Sequence, residues 1–436
     1  MAEAARLPLS RTAALRMLRR DPIRLLERAA TAGDVVVLPM LRFDAYLLNR
    51  PDLVWDVLAT HGGAFHKGPT MQAAKRVLGE SLLTSEGERH RRQRRMIQPM
   101  FHHERVATYG DEMVTLAERA AERWVDGTVM DVHREMAQLT LAIVARTLFG
   151  SDVDADDAVR IGEALRETLG QFDRAFSPLL PITERLPLPS TRRFHRARAV
   201  MDHSILAMIA ERRATGAHGE DLLSLLMTAR DADVAMDDTE VRDEAMTLFL
   251  AGHETTSNAL TWTWFLLSEH PDVATELHGE LDGLPGRLDA GSAIPYTSAV
   301  VRESMRLYPP AWAIGRRAIE DHTADGVRIP AGSVVVVSPW LLHHDPRWWP
   351  EADRFLPERW LEIDVARPRH AYLPFGGGSR MCIGEGFAEL ETRSVLGTIA
   401  RHWSFTHVPS HRVELQPVVT LRPRTGMPMV LHRRVA

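Results

Sequence analysis

The chain has 436 residues with one cysteine and a formal net charge of -5; hydrophobic residues make up 45% and charged residues 25%. That balance belongs to an ordinary globular protein and excludes disordered, fibrous and membrane-spanning classes. A lone cysteine, Cys382, also excludes a disulfide scaffold and a multi-cysteine zinc module.

From the N-terminus, residues 1–26 are broken up by Arg6, Arg11, Arg16, Arg19, Arg20 and Arg24. They hold neither a signal-peptide core nor a membrane anchor, and a cytoplasmic protein is expected. Two apolar, β-branched runs at 35–38 and 45–48 predict a strand pair, with a helix following from Pro51. Of the 53 basic residues only Lys67 and Lys75 are lysines, followed by Gly68 and Arg76. A Walker A loop is thereby excluded. Apolar spacings of three and four, as in 136–148 and 200–213, predict a mostly helical region over 111–229. It is interrupted at 176–189, where Pro178, Pro181, Pro187 and Pro189 stop any regular element. The spacing next predicts one long helix over 239–269, about 46 Å at the standard rise. Helices at 271–281 and 297–308, strands at 327–329 and 333–338 joined by a Pro330-Ala331-Gly332 turn, and a last helix from near Ile383 complete the chain. No repeat, low-complexity tract or linker divides it. One large, mostly α domain over 1–436 with small β-sheets is expected, with no fused reductase.

Cys382 follows Gly376-Gly377-Gly378-Ser379-Arg380-Met381 and opens a helical segment. A lone cysteine is ordinarily a small buried hydrophobe. Here three glycines allow close backbone approach to a flat partner. Arg380 and the amides of a helix N-terminus favour thiolate and can donate to its sulfur. The thiolate is then a nucleophile or a metal ligand, and no histidine stands in a cysteine-hydrolase context. A second motif, His253-Glu254-Thr255-Thr256-Ser257, begins like a zinc-protease H-E-x-x-H but ends in serine and fails.

Phe375 to Gly384 matches F-G-x-G-x-R-x-C-x-G at every fixed position, and so resembles the haem-binding loop of cytochromes P450. Ala251-Gly252-His253-Glu254-Thr255-Thr256 resembles that family's oxygen-binding segment, and Glu303-Ser304-Met305-Arg306 its E-x-x-R. Phe355 to Trp360, with Arg359, resembles its later arginine motif, and His90 with Arg94 a pair that holds haem propionates. The resemblance implies a P450 fold, with a long central helix over a buried haem b. Cys382 is then the axial iron ligand, and its thiolate favours O–O cleavage. Arg380 and Arg316, the latter beside Arg317, are further propionate candidates. Phe375, Ala251 and Gly252 flank the haem, and the small Ala251-Gly252 pair leaves room for dioxygen.

Each of these residues also has a plainer reading. Thr255 can bond back to a carbonyl one turn earlier with Glu254 merely solvated, or the two can relay protons for dioxygen activation while water is excluded. Glu303 and Arg306 can be a surface pair worth roughly 0.2–0.5 kcal/mol, or by resemblance can join Arg359 in a buried triad. In the run 89–95, helical spacing puts His90, Arg94 and Ile97 on one face. Arg91, Arg92 and Arg95 lie elsewhere, solvated or forming a basic dock for an acidic ferredoxin. Nucleic acid is not expected.

The segments expected to face substrate, 172–188, 249–251, 312–314 and 418–421, are mainly apolar and favour a lipophilic ligand. The resemblance implies a bacterial monooxygenase that inserts one oxygen atom from O2 into a fatty acid, terpenoid or carotenoid-like substrate. Electrons would come from NAD(P)H through ferredoxin reductase and ferredoxin. A peroxide-driven peroxygenase and a noncatalytic haem-binding protein are the alternatives.

Overall fold

The computed structural model describes residues 4–40, 43–150, 164, 188–216, 219–232, 234–361 and 367–434. The irregular stretch expected at 176–189 therefore lies outside the described residues, save its last two. The second of these, Pro189, opens the helix Pro189–Thr215, because a proline at the first helical position sacrifices no intrahelical bond.

The protein is mostly α-helical with small sheets, as the residue pattern predicts. Five helices position the site: α1 Gly87–Ile97, α2 Val132–Phe149, α3 Asp238–Glu269, α4 Pro295–Leu307 and α5 Glu385–Ala400. The long helix α3 starts where Asp237 and Glu240 form a reciprocal capping box, satisfying amides that no intrahelical carbonyl can reach. Most of its length is buried, although it carries many polar and charged side chains, among them Arg242, Asp243, Glu244, Glu254 and Asn258. Its first half, Val241 to Leu250, packs into one hydrophobic cluster with Ile97, Leu148 and Phe149. Its second half, Ala259 to Leu267, packs into another with Met136, Val300 and Leu396. The turn between them, residues 251–258, belongs to neither cluster.

The main sheet has six strands: β1 Ala5–Arg6, β2 Val35–Pro39, β3 Asp44–Leu48, β4 Phe65–Lys67, β5 Ile314–Ala318 and β6 Val334–Val337. Their order is β1-β2-β3-β6-β5-β4. The expected β2–β3 pair is antiparallel, Val35 opposite Leu48, and the helix from Pro51 passes at Asp56 into a π turn that ends at Thr60. The expected turn at Pro330-Ala331-Gly332 is present, and the strands on its two sides take different partners: Val327–Ile329 pairs with His322–Ala324, whereas β6 pairs with β3 and β5. Turn chemistry marks a reversal, but burial decides which strand each run meets.

Candidate active site

The Cys382 loop is held from both clusters, since Phe375 packs on one and Ile383 on the other. The Cys382 amide donates to the Phe375 carbonyl (2.9 Å), closing the loop. Gly378 has φ +69, and a Cβ there would lie 2.0 Å from the Leu58 carbonyl oxygen of the π turn. No side chain fits at that position, so the loop can seat against the turn only with glycine. The last helix begins at Glu385, two residues after the expected start.

Cys382 is exposed, yet enough protein surrounds it that burial pushes its thiol up, against the Gly384 amide and Arg94, which pull it down. Both hold because the sulfur faces a recess inside the fold rather than the outer surface. The expected bond from Arg380 to the sulfur is not made: Arg380 donates to the Ser85 carbonyl (2.8 Å) and pairs with Glu86. The cation that acts on the sulfur is Arg94, which donates to the neighbouring Met381 carbonyl at 2.8 Å. With burial dominant, the thiol alone stays protonated at neutral pH; a bound metal ion is what would deprotonate it.

Around the loop stands a nest of cations. On α1, His90 is buried and Arg94 half-buried, while Arg91 and Arg95 are exposed, matching the expected division of that helix. Burial, then Arg380 and Lys67, lower His90 to about 3. Arg316 on β5 is buried, and burial with Arg380 brings its guanidinium to about 10. Among the described residues, its hydrogen bond is to the carbonyl of its own neighbour, Gly315 (3.1 Å). Opposite it on β4, Lys67 donates to the Leu82 (2.8 Å) and Leu83 carbonyls and falls to about 7, burial being the main cause. The local acids are Glu86, held by Arg380 and the Lys67 amide, and Glu244, whose carboxyl burial raises to about 8. Five basic side chains thus converge on fewer acids, an arrangement suited to an anionic ligand.

Lys67 is a member of the nest that no motif in the sequence marks. A lysine among arginines on an apolar strand is the signal that could have found it. The outer arginines are largely paired within the chain. Arg92 and Arg89 meet Glu240, Arg91 meets Glu88 (2.7 Å), and Arg95 meets Asp231 (2.7 Å).

The uncommitted turn of α3 holds the other expected group. Thr255 Oγ1 donates to the Ala251 carbonyl at 2.5 Å, the plainer of the two readings. Glu254 is not solvated but buried, accepting from Thr420 Oγ1 at 2.8 Å with Arg422 at 3.6 Å. Thr420 in turn accepts from Asn258 Nδ2 (3.0 Å). A Cβ at Gly252 would meet Val144 Cγ2 at 2.8 Å, so its smallness serves the packing of α3 on α2. Ala251 is the exposed member of the pair.

Glu303, Arg306 and Arg359 come together. Arg306 donates to both Glu303 oxygens (2.9 and 2.8 Å) and Arg359 to one (3.1 Å), with Glu303 and Arg306 fully buried. Two further members escaped the sequence. Trp360 Nε1 donates to Glu303 (2.9 Å), and the fully buried His343 donates from Nδ1 to the Arg306 carbonyl (3.2 Å) while its Nε2 accepts the Leu373 amide (2.9 Å). The triad is thereby tied to the strand of chain that enters the Cys382 loop.

The family model for cytochrome P450 matches residues 17–427. The chain belongs to the cytochrome P450 family. Among curated relatives of this P450 is cyclooctatin synthase of Streptomyces melanosporofaciens, 38% identical over 95% of this chain and 92% of that one. Cyclooctat-9-en-7-ol 5-monooxygenase of the same organism is 39% identical over 89% and 86%. Pentalenene oxygenase of Streptomyces avermitilis is 34% identical over 97% and 93%. The crystal structure of CYP175A1 from Thermus thermophillus is similar with a TM-score of 0.77 and 28% identity, covering 98% of this chain and 100% of that one. The protein is accordingly a P450 monooxygenase, of a family that uses a haem-thiolate cofactor, O2 and redox partners on small molecules. The recessed sulfur and the excess of buried cations suit such a cofactor: a soft donor on one side and an anion-binding nest beside it. No helix among the described residues is long and apolar enough to cross a membrane.

Proposed function

We propose that this P450 oxygenates an apolar terpenoid, holds haem b through Cys382, and receives electrons from NAD(P)H by way of ferredoxin reductase and ferredoxin. The observation that carries the reading is a soft sulfur, Cys382, beside a nest of five basic groups of which His90, Arg316 and Lys67 are buried. Relatives named for cyclooctatin and pentalenene chemistry support a terpenoid substrate. The haem supplies the redox chemistry when bound; this chain's residues hold it and manage protons and water.

Cys382 would give the haem iron its sulfur donor in this reading. His90, Arg94, Arg316 and Arg380, with Lys67 added, neutralise the propionates, and the low values of His90 and Lys67 rise when an anion sits among them. Phe375, Ala251 and Gly252 are the backbone and apolar neighbours. Arg91 and Arg95, whose side chains are 66% and 54% exposed, are the cations that an acidic ferredoxin can engage by displacing weak surface partners.

In this reading Thr255 would pass a proton towards bound dioxygen, which requires its O–H to leave the Ala251 carbonyl or to be replaced by a proton accepted at Oγ1. Glu254 is one residue before Thr255 in the chain, held by the Thr420 hydroxyl that donates to it and by Arg422 at 3.6 Å. Thr255→Ala is therefore expected to raise hydrogen peroxide release relative to product at a similar NADPH consumption rate. Unchanged coupling would remove Thr255 from the relay. The substrate class is tested by titrating the ferric protein with cyclic terpene hydrocarbons, fatty acids and macrolides and following the spin-state shift. Terpenes are expected to give the largest shift at the lowest concentration. A response confined to fatty acids or macrolides contradicts the assignment.

A further inference from the structure

Among the described residues, one cluster of metal-ligating side chains stands apart from anything the P450 reaction uses. Asp56, the first residue of the π turn, bridges two histidines. His61 Nδ1 donates to Asp56 Oδ1 at 2.6 Å, and His322 Nε2 donates to Asp56 Oδ2 at 2.7 Å. The three ligand atoms lie within 4.8 Å of one another. His61 follows the π turn directly, while His322 opens the strand His322–Ala324, with its ring held edge-on by Phe65 at 5.1 Å. The side chains are 56% exposed at His61, 25% at Asp56 and 9% at His322. One wall is thus buried and the other open to solvent.

We propose that Asp56, His61 and His322 form a binding site for a divalent transition-metal ion of the zinc class. Two imidazoles and one carboxylate are the donor set such ions take, at about 2.0–2.2 Å from each ligand atom, with water in the fourth position. The exposed edge of His61 leaves that position accessible. A neutral imidazole accepts such an ion without net proton loss by moving its N–H to the other ring nitrogen. Small rotations of the two rings replace the hydrogen bonds to Asp56 by bonds to the ion.

The site's placement gives it a consequence. The π turn that carries Asp56 is the one whose Leu58 carbonyl oxygen and Ala59 Cα abut Gly378 of the Cys382 loop. Just before the turn, Trp55 stacks on His370 at 3.6 Å and touches the Gly377 position. An ion bridging Asp56 and His61 to the strand at His322 clamps this turn, and with it the back of the loop. The inference goes beyond the proposed monooxygenase reading, and its first readout needs no turnover.

The experiment is calorimetric titration of the purified, chelator-treated holoprotein with ZnCl2, beside the variants His61→Ala and Asp56→Asn. His61→Ala removes a largely exposed side chain and so keeps the fold testable. The wild type is expected to bind one equivalent, with affinity at least ~100-fold weaker in either variant and unchanged in the exposed-histidine control His103→Ala. Zinc is also expected to raise the unfolding midpoint of the wild type and not that of His61→Ala. Absence of saturable binding, or binding that survives both substitutions, overturns the site. Binding at the site with no change in midpoint overturns the clamp.

Discussion

Glu303→Ala is expected to give protein that does not retain haem and is destabilised by about 3–5 kcal/mol. Glu303 is fully buried and takes five hydrogen bonds: two from Arg306, one from Arg359, one from the Leu356 amide and one from Trp360. Removing it leaves the Arg306 guanidinium in an apolar interior, 5.1 Å over the Trp349 ring, with its three carbonyl partners His343, Ala352 and Arg354 but no counter-charge. Those carbonyls cannot neutralise it. The damage reaches the cofactor loop because His343 links the Arg306 carbonyl to the Leu373 amide, two residues before Phe375. The check is the haem-to-protein ratio of purified variant, with a urea midpoint. A normal ratio at an unchanged midpoint would show that the triad does not brace the loop. Glu303→Gln, which keeps acceptors but loses the charge, is expected to fall between the two.

Cys382→Ser is expected to abolish monooxygenase turnover and the red-shifted band of the reduced, carbon monoxide-bound form. The cation nest of His90, Arg94, Arg316, Arg380 and Lys67 is untouched by the change, so some haem binds without its thiolate. Serine cannot supply the thiolate donor on which the O–O cleavage chemistry depends. The check is that spectrum alongside product formation. A variant that keeps both the band and turnover would place the axial donor elsewhere, and the chain has no other cysteine.

What was legible in the sequence was local. The glycine-rich approach to Cys382, the three-residue spacing of Glu303 and Arg306, and the division of 89–95 into an inner and an outer set all follow from helical and loop periodicity. Each can be read within a dozen residues. The central helix was legible from its apolar spacing to within one residue at its start, Asp238. What was not legible depends on partners far away in the chain. His343 lies 37 residues from Arg306, and Thr420 lies 166 from Glu254. No spacing rule brings them together. Gly252 shows the same limit, since a small residue in an oxygen-binding motif reads as room for a ligand until Val144 is seen against it. The π turn at Asp56 was invisible for a further reason: an added residue in a helical turn leaves no compositional mark.

The peroxygenase alternative needs no dioxygen, and this difference makes the central claim testable in one step. The measurement is turnover of a cyclic terpene hydrocarbon by the purified holoprotein under 18O2, with NADPH, ferredoxin reductase and ferredoxin. The account predicts product carrying one 18O atom per oxygenation, dependent on both redox proteins. Product lacking the label, or formed only when hydrogen peroxide is supplied, would contradict it.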